Sequence, residues 1–222
     1  MTVSRADIDL VIFDCDGVLL NTEEIASAVC VEALADLGMH LTLHQYAARY
    51  SGRPVADAWR QVEADLGRPL PDGFRESVDT RVLDRFASAL EPIEGVVTVL
   101  EALRGPRCVA SSTTLDLLKL NLERARIAHH FDPAIFSVSQ VARGKPAPDV
   151  FLFAASQMGA DPHRCLVIED SGAGVAAARR AGMNVIGFSG GGHASEDHVE
   201  RLTGQGAFRV VRHMRELHAF LA

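Results

Sequence analysis

Six short apolar runs without polar alternation limit most strongly how this chain can fold. The runs cover residues 9–13, 107–110, 134–138, 165–168, 184–188 and 208–211. Strands with continuous apolar character are buried on both faces, which is typical of a parallel sheet. Helical patterns lie between most of the runs, for example at 95–103, 115–125, 150–158 and 175–181. The alternation predicts an α/β fold, a parallel sheet with helices on both faces that binds ligands beyond the carboxyl ends of its strands.

The stretch from about residue 21 to residue 89 departs from this alternation. It has helical patterning and no convincing strand, with helices predicted at 23–37, 43–50, 55–66 and 74–90. A helical insertion after the first strand would form a second, smaller domain that covers the end of that strand. The predicted organisation is therefore a core made of 1–18 and 90–222, and a helical cap made of 19–89.

Composition narrows the classes of function. A net charge of −7 and a pI near 5.7 argue against a nucleic-acid surface, because phosphate backbones are held by excess lysine and arginine. The four cysteines are far apart and form no CxxC pair, which predicts reduced thiols in a cytoplasmic protein. The sequence has neither a signal-like start nor an apolar run of about 20 residues. We therefore expect the protein to be neither secreted nor inserted into a membrane.

The strongest chemical signal is a pair of aspartates directly after the first apolar run. Asp14 and Asp16 are separated by one residue, so in an extended chain both side chains face the same pocket. Two carboxylates beside a buried strand are costly unless a cation compensates them, and a divalent metal ion is the natural one. Gly17 allows the chain to turn sharply there. An aspartate pair that only caps a helix or turn is the alternative.

Two further segments suit an anion. Ser111 and Ser112 open the run Ser-Ser-Thr-Thr, which follows the strand at 107–110 and starts a helix. Hydroxyls and free N–H groups at a helix start suit phosphate, although such a run is also typical of a plain N-cap. Lys145 is followed by two prolines that stiffen its segment. A rigidly held ammonium would balance a phosphate, whereas an isolated loop lysine would be solvated.

Acidic residues also end the fourth apolar run. Glu169 and Asp170 follow residues 165–168, and small residues then open a helix. Acids at a helix start are favoured by the helix dipole, so capping is one interpretation. In the other, Asp170 completes an oxygen-rich Mg²⁺ site with Asp14, and Glu169 lies behind it. Together the four segments provide a nucleophile, an acid/base group, a phosphate anchor, a cation and metal ligands.

At these residues the chain resembles the haloacid dehalogenase superfamily, in particular its phosphatase and β-phosphoglucomutase-like branch with a helical cap after the first motif. Residues 14–19 (DCDGVL) match the first motif, Ser111 the second, Lys145 the third, and Glu169 with Asp170 the fourth. The resemblance covers nearly the whole chain. It implies a Rossmann-like core and an aspartyl-phosphate intermediate.

The resemblance also implies a role for each residue. Asp14 would attack phosphorus, and Asp16 would protonate the leaving alcohol and then activate water. Mg²⁺ and Lys145 would neutralise charge on the transferring group, and Ser111 would orient the phosphate oxygens. The implied metal ligands are Asp14, Asp170 and the main-chain carbonyl of Asp16. Glu169 would support the metal site from behind, and Ser112 would contact the substrate.

The chain departs from the family pattern at two places. Asn21 stands where the family often has aspartate, which removes a charge but keeps a polar substrate contact near the cap hinge. The segment from Arg49 to Arg53 resembles the family's substrate-reading loop, but Ser51 and Val55 replace the lysine and arginine with which sugar-phosphate mutases hold a second phosphate. Arg49 and Arg53 are candidate substrate contacts, or else solvated surface arginines.

These observations predict a Mg²⁺-dependent phosphatase that hydrolyses a small phosphorylated metabolite, such as a sugar phosphate. Asp16 favours phosphoryl transfer over dehalogenation, because dehalogenases of the superfamily typically lack this acid. A phosphohexose mutase of the β-phosphoglucomutase type is the alternative enzyme, and a non-catalytic phosphosugar-binding protein is the alternative of another class. The leaving group and the oligomeric state stay open, and His193, beside the glycine run at 190–192, is interpreted as a solvated loop residue.

Overall fold

The computed structural model describes residues 4–50, 55–191 and 197–221. Its centre is a six-stranded parallel sheet with the strand order β3-β2-β1-β4-β5-β6. The strands are β1 (Leu10–Phe13), β2 (Arg107–Ser111), β3 (Ile135–Ser137), β4 (Cys165–Glu169), β5 (Asn184–Phe188) and β6 (Arg209–Val211). All six predicted strands are present, and the predicted α/β fold is confirmed.

The central strand β1 shows why the apolar runs do not alternate. Val11 and Phe13 belong to the hydrophobic cluster on one face of the sheet, whereas Leu10 and Ile12 belong to the cluster on the other. All four side chains are at most 1% exposed. Because successive side chains of a strand point to opposite faces, a strand covered on both faces needs an apolar residue at every position.

Helices cover both faces of the sheet and supply these clusters. They are α5 (Val96–Ala102), α6 (Leu115–Arg124), α7 (Asp149–Gln157), α8 (Gly172–Arg180), α9 (His198–Gly204) and α10 (Met214–Leu221). The first four match helices predicted from the sequence, and α9 and α10 are additional. Within the described parts of the chain, no helix combines the length and apolar character needed to cross a membrane.

Four helices lie between β1 and α5 in the chain, and the described residues of this stretch contain no strand. They are α1 (Thr22–Asp36), α2 (Leu43–Tyr50), α3 (Val55–Leu66) and α4 (Phe74–Ala89). These helices share a third hydrophobic cluster, which includes Val29, Leu34, Tyr50, Trp59 and Val62. Most buried apolar side chains of this insertion thus pack against one another, whereas Ile25 and Phe86 join the hydrophobic cluster on one face of the sheet.

Candidate active site

The ends of three neighbouring strands bring the predicted site residues together. Asp14 follows β1, Ser111 ends β2, and Glu169 ends β4 and is followed by Asp170. Since β1 is hydrogen-bonded to β2 on one side and to β4 on the other, the carboxyl ends of these strands meet at one edge of the sheet. All four residues are at most 6% exposed. Lys145, from the segment before α7, reaches the same place.

Lys145 is held by three oxygen acceptors. Its ammonium donates hydrogen bonds to Asp14 Oδ1 at 2.5 Å, to Glu169 Oε1 at 2.7 Å and to the Ala110 carbonyl at 3.1 Å. It also lies 4.9 Å from the centre of the Phe151 ring. Burial by itself would lower the pKa of Lys145, but the adjacent carboxylates of Asp14 and Glu169 outweigh it and raise the pKa. The ammonium is therefore a permanent charge of the site.

Glu169 connects this ammonium to the start of α8. Its Oε1 accepts from Lys145, while its Oε2 accepts from the Ser171 N–H at 2.7 Å and the Ser171 hydroxyl at 2.9 Å. The Ser171 hydroxyl in turn accepts from the Gly174 N–H at 3.0 Å and caps the helix. Both carboxylate oxygens of Glu169 are thus engaged, which suits the predicted supporting position behind the metal ligands.

Gly174 is a functional position that sequence reasoning missed, because a glycine at a helix start is unremarkable. A Cβ atom at this residue would lie 1.7 Å from Glu169 Oε1. The carboxylate therefore reaches Lys145 and Ser171 only because residue 174 has no side chain. The Gly-Ala-Gly run at the start of α8 was the available sequence signal.

We expect Gly174→Ala to displace the Glu169 carboxylate, to lower the free energy of unfolding by about 1–3 kcal/mol and to reduce kcat. The loss outweighs the gain in helix propensity because a buried, charged group has to move. Chemical denaturation and steady-state kinetics measure both effects. The matched control is Gly204→Ala in α9, where a Cβ meets nothing within 4 Å. Equal behaviour of the two variants would contradict the packing argument.

The donor set around Asp14 fits a hard divalent cation. Carboxylate oxygens of Asp14, Glu169 and Asp170 lie within 4.8 Å of one another, and all three residues are buried. Lys145 is the ammonium that faces this cluster, so the negative charge is in excess. Burial raises the pKa values of Asp14 and Asp170, and the neighbouring carboxylates raise them further. Mg²⁺ prefers such oxygen ligands and would remove this excess charge.

Asp16 is held by two hydroxyl groups. Its Oδ2 accepts from the Thr113 hydroxyl at 2.7 Å and from the Ser111 hydroxyl at 3.2 Å, and the Ser111 hydroxyl also accepts from the Thr113 N–H at 3.0 Å. The sequence had indicated Ser111, whereas Thr113 was only part of the Ser-Ser-Thr-Thr run. Ser112 is exposed. The two hydroxyls fix the orientation of the Asp16 carboxylate beside the cluster.

His198 is a second residue that sequence reasoning missed, because no local pattern distinguishes it. Its Nε2 lies 2.5 Å from the main-chain oxygen of Asp170, and its Nδ1 lies 3.3 Å from the Ser189 hydroxyl. A carbonyl oxygen only accepts, so Nε2 carries the proton and donates it. His198 is the first residue of α9, and its side chain is buried. It thereby holds in place the segment that carries Asp170.

A cleft of about 500 Å³ opens beside the aspartate pair. It is bounded by the turn after β1, the start of α1, the segment before α5 and the glycine run after β5; the lining residues are Gly17, Asn21, Glu23, Glu24, Glu91, Pro92, Ile93, Glu94, Gly190 and Gly191. Arg49 is not one of them and lies 3.8 Å from Asp65 in an exposed ion pair. Arg53 and His193 lie outside the described residues.

Asn21 joins the two segments that connect the helical insertion to the sheet. Its side-chain amide donates to the Ala89 carbonyl at 3.4 Å, and its side-chain oxygen accepts from the Glu91 N–H at 2.9 Å. A main-chain bond from the Ile93 N–H to the Leu19 carbonyl, at 2.9 Å, continues this pairing. An aspartate at position 21 has no amide to donate. The asparagine therefore links the two connecting segments and also lines the cleft.

Comparison with known proteins shows the family to which the chain belongs. A model of haloacid dehalogenase-like hydrolases matches residues 8–182. The chain is 30% identical to 6-phosphogluconate phosphatase of Escherichia coli (strain K12), over 84% of this chain and 85% of that protein. It is 32% identical to fructose-1-phosphate phosphatase YqaB of the same strain, over 79% and 93% of the two chains. A conserved haloacid dehalogenase-like protein of unknown function from Agrobacterium tumefaciens superposes with a TM-score of 0.90, at 36% identity and 96% coverage of both chains.

The parallel α/β sheet carries its buried carboxylates at the carboxyl ends of the central strands, where open α/β folds bind their ligands. The chain belongs to the haloacid dehalogenase-like hydrolase family. Together with the phosphatase relatives, this match confirms the prediction of a phosphohydrolase of that superfamily.

Proposed function

We propose that the protein is a Mg²⁺-dependent phosphatase that hydrolyses a small phosphate monoester through an aspartyl-phosphate intermediate. The observation that carries the proposal is the buried contact of Asp14 with Lys145, in a cluster with Glu169 and Asp170. An isolated carboxylate at such depth would be neutral, whereas an ammonium and a bound cation keep it ionised and able to attack. The phosphatase relatives support the same reaction class.

In the first step an oxygen of Asp14 forms a bond to phosphorus while the bond from phosphorus to the ester oxygen breaks. Asp16 gives its proton to the departing oxygen, so the alcohol leaves neutral. Lys145 holds the Asp14 carboxylate in place and balances charge on the phosphoryl oxygens. Mg²⁺, held by Asp14, Asp170 and the Asp16 carbonyl, would supply further positive charge to those oxygens.

In the second step a water molecule replaces Asp14 on phosphorus. Asp16, now a carboxylate, takes the proton of the water, whose oxygen bonds to phosphorus as the bond to Asp14 breaks. Inorganic phosphate leaves, and Asp14 and Asp16 regain their starting states. The hydroxyls of Ser111 and Thr113 keep the Asp16 carboxylate oriented in both steps. Ser111 is also the proposed contact of the phosphate oxygens.

The proposed cap comprises 19–89, and the proposed core comprises 1–18 and 90–222. The third hydrophobic cluster, which α1 to α4 share, supports this division. The hydrogen bonds by which Asn21 joins the two connecting segments support it as well. In this proposal the cap carries the substrate-reading groups, with Arg49 and Arg53 as its candidate contacts. The four free, buried cysteines fit the proposed cytoplasmic location.

The mutase alternative is less favoured by the cleft. A mutase has to hold a second phosphate, which needs cationic groups opposite the aspartates. The residues described around the cleft contain four glutamates and no arginine, lysine or histidine. NMR of β-glucose 1-phosphate distinguishes the two reactions, because a mutase forms the 6-phosphate isomer faster than free phosphate.

A panel of phosphomonoesters with and without Mg²⁺ tests the proposal. We expect phosphate release from at least one small sugar phosphate, and no release after removal of the metal with a chelator. The absence of metal-dependent turnover on every member of the panel would overturn the proposal and favour a non-catalytic phosphosugar-binding protein.

We also expect Mg²⁺ to stabilise the fold, because it offsets the charge excess of Asp14, Glu169 and Asp170. Binding at 100 times the Kd adds about 2.7 kcal/mol, which raises the Tm by about 5–10 °C in a chain of this size. Differential scanning calorimetry measures the shift. Asp170→Asn is expected to lose it, whereas the exposed control Asp116→Asn keeps it. An unchanged shift in Asp170→Asn would show that the ion binds elsewhere.

A further inference from the structure

The residues that line the cleft indicate which leaving groups the site accepts. Asp16 is the residue proposed to protonate the leaving oxygen, and Gly17, the next residue, lines the cleft. In the proposed mechanism, the alcohol part of a substrate bound at Asp14 would extend into this space. At about 500 Å³, the cleft has room for a small sugar or polyol.

The cleft is acidic on two sides. Glu23 and Glu24 project from the first turn of α1, and Glu91 and Glu94 come from the segment that leads to α5. Within residues 4–50, 55–191 and 197–221, no cationic side chain forms an ion pair with Glu24, Glu91 or Glu94.

The buried ammonium does not compensate this acidity. Lys145 is already engaged by Asp14 and Glu169, so its charge is balanced at the reaction centre. The four glutamates therefore make the wall of the cleft negative beyond the reaction centre.

We infer that the substrate's leaving group carries no negative charge, and that the enzyme selects phosphate esters of neutral or amine-bearing alcohols over those with a carboxylate or a second phosphate. The inference rests on the proposed phosphatase function and narrows its substrate class. The two phosphatase relatives differ in this respect: 6-phosphogluconate has a carboxylate in its leaving group, whereas that of fructose 1-phosphate is a neutral sugar. From the acidic cleft we expect this chain to act on a leaving group of the second type.

A neighbouring cavity of about 160 Å³ provides the strongest argument for the opposite selectivity, a preference for a bisphosphate. It shares Ile93, Glu94 and Gly190 with the cleft, and its wall also contains Arg212 and Arg215. A bisphosphate long enough to pass Glu94 would meet these arginines. Preference for such a substrate, lost in Arg212→Gln/Arg215→Gln, would overturn the inference.

The test compares esters that share a six-carbon skeleton and differ in charge: glucosamine 6-phosphate, glucose 6-phosphate, 6-phosphogluconate and glucose 1,6-bisphosphate. At low ionic strength we expect kcat/KM for 6-phosphogluconate to be about tenfold or more below that for glucose 6-phosphate, since like charges a few Å apart repel by this order. Glucosamine 6-phosphate is expected to equal or exceed glucose 6-phosphate. Added salt should reduce the differences by screening.

Glutamine variants connect the discrimination to the cleft. Glu91→Gln/Glu94→Gln keeps side-chain size and the hydrogen bond from the main-chain N–H of residue 91 to the side-chain oxygen of Asn21. It is expected to raise the relative kcat/KM for 6-phosphogluconate at least threefold. The double control Glu101→Gln/Glu123→Gln makes the same change in net charge on exposed helix surfaces and should leave the ratio unchanged. Equal ratios in the two double variants would overturn the inference.

Calorimetric binding of the same esters to Asp14→Asn separates this inference from the proposed function. If the parent hydrolyses neither these esters nor any other member of the phosphomonoester panel, but Asp14→Asn binds the four in the expected order, the phosphatase proposal fails and the charge selectivity stands. If the parent is active and 6-phosphogluconate binds or reacts as well as glucose 6-phosphate, the charge selectivity fails. Absence of binding and turnover for all four esters would overturn both.

Discussion

Asp14→Asn is expected to lower kcat on the order of 10⁶-fold, the size of loss seen when a covalent hydrolase loses its nucleophile. The amide is nearly isosteric but is a poor nucleophile, so the first bond to phosphorus does not form. The amide also keeps an oxygen that accepts a hydrogen bond from Lys145, which limits structural damage. Phosphate release under saturating substrate and Mg²⁺ measures the effect.

The purified control is Asp116→Asn, an exposed aspartate on α6 that removes one charge away from the site. It should retain the parent rate. Intact mass measurements after rapid quenching should show an added phosphoryl group on the parent and none on Asp14→Asn. Equal phosphatase activity in Asp14→Asn and the parent would identify the activity as a contaminant.

Asp16→Ala is expected to reduce kcat by about 10²–10⁴-fold, the usual contribution of a general acid and base. Its Mg²⁺ affinity should stay close to that of the parent, because the proposed metal ligand at this residue is the main-chain carbonyl. Steady-state kinetics and calorimetric titration with Mg²⁺ measure the two quantities. The variant therefore separates the loss of proton transfer from the loss of metal.

Leaving-group chemistry provides the control for this second prediction. An ester with a good leaving group, such as p-nitrophenyl phosphate, needs little protonation, so Asp16→Ala should slow it less than a sugar phosphate in the first step. Thr113→Val removes one hydroxyl that holds Asp16 and should produce a smaller loss of the same type. A large loss of Mg²⁺ affinity in Asp16→Ala would contradict the assignment.

The parallel sheet followed from the sequence because burial on both faces imposes a local pattern. Each strand needs a short run of consecutive apolar residues, as Leu10–Phe13 shows, and this requirement is visible without any long-range information. The aspartate pair, Ser111, Lys145 and Asp170 were also visible, because each follows a predicted strand or precedes a helix. The pattern located the ends of strands less closely than their centres: β3 extends over Ile135–Ser137, whereas the predicted strand was 134–138.

Helices α9 and α10 were not predicted from the sequence. Both are short, with His198–Gly204 followed by Met214–Leu221, and short helices gain most of their stability from packing rather than from their own sequence. Helix α10 packs against α5, which is more than a hundred residues earlier in the chain. Local periodicity carries little information about such contacts.

The sequence by itself determined which residues carry the charge and which segments form the sheet, because both are properties of local runs. The tertiary structure decided how those charges are paired. Lys145 bridges Asp14 and Glu169 across separations of 131 and 24 residues, and the hydroxyl of Thr113 reaches Asp16 across 97. Gly174 leaves space for Glu169, and glutamates from two distant segments line one cleft. These relations depend on distances between remote parts of the chain, which only the packing of strands and helices sets.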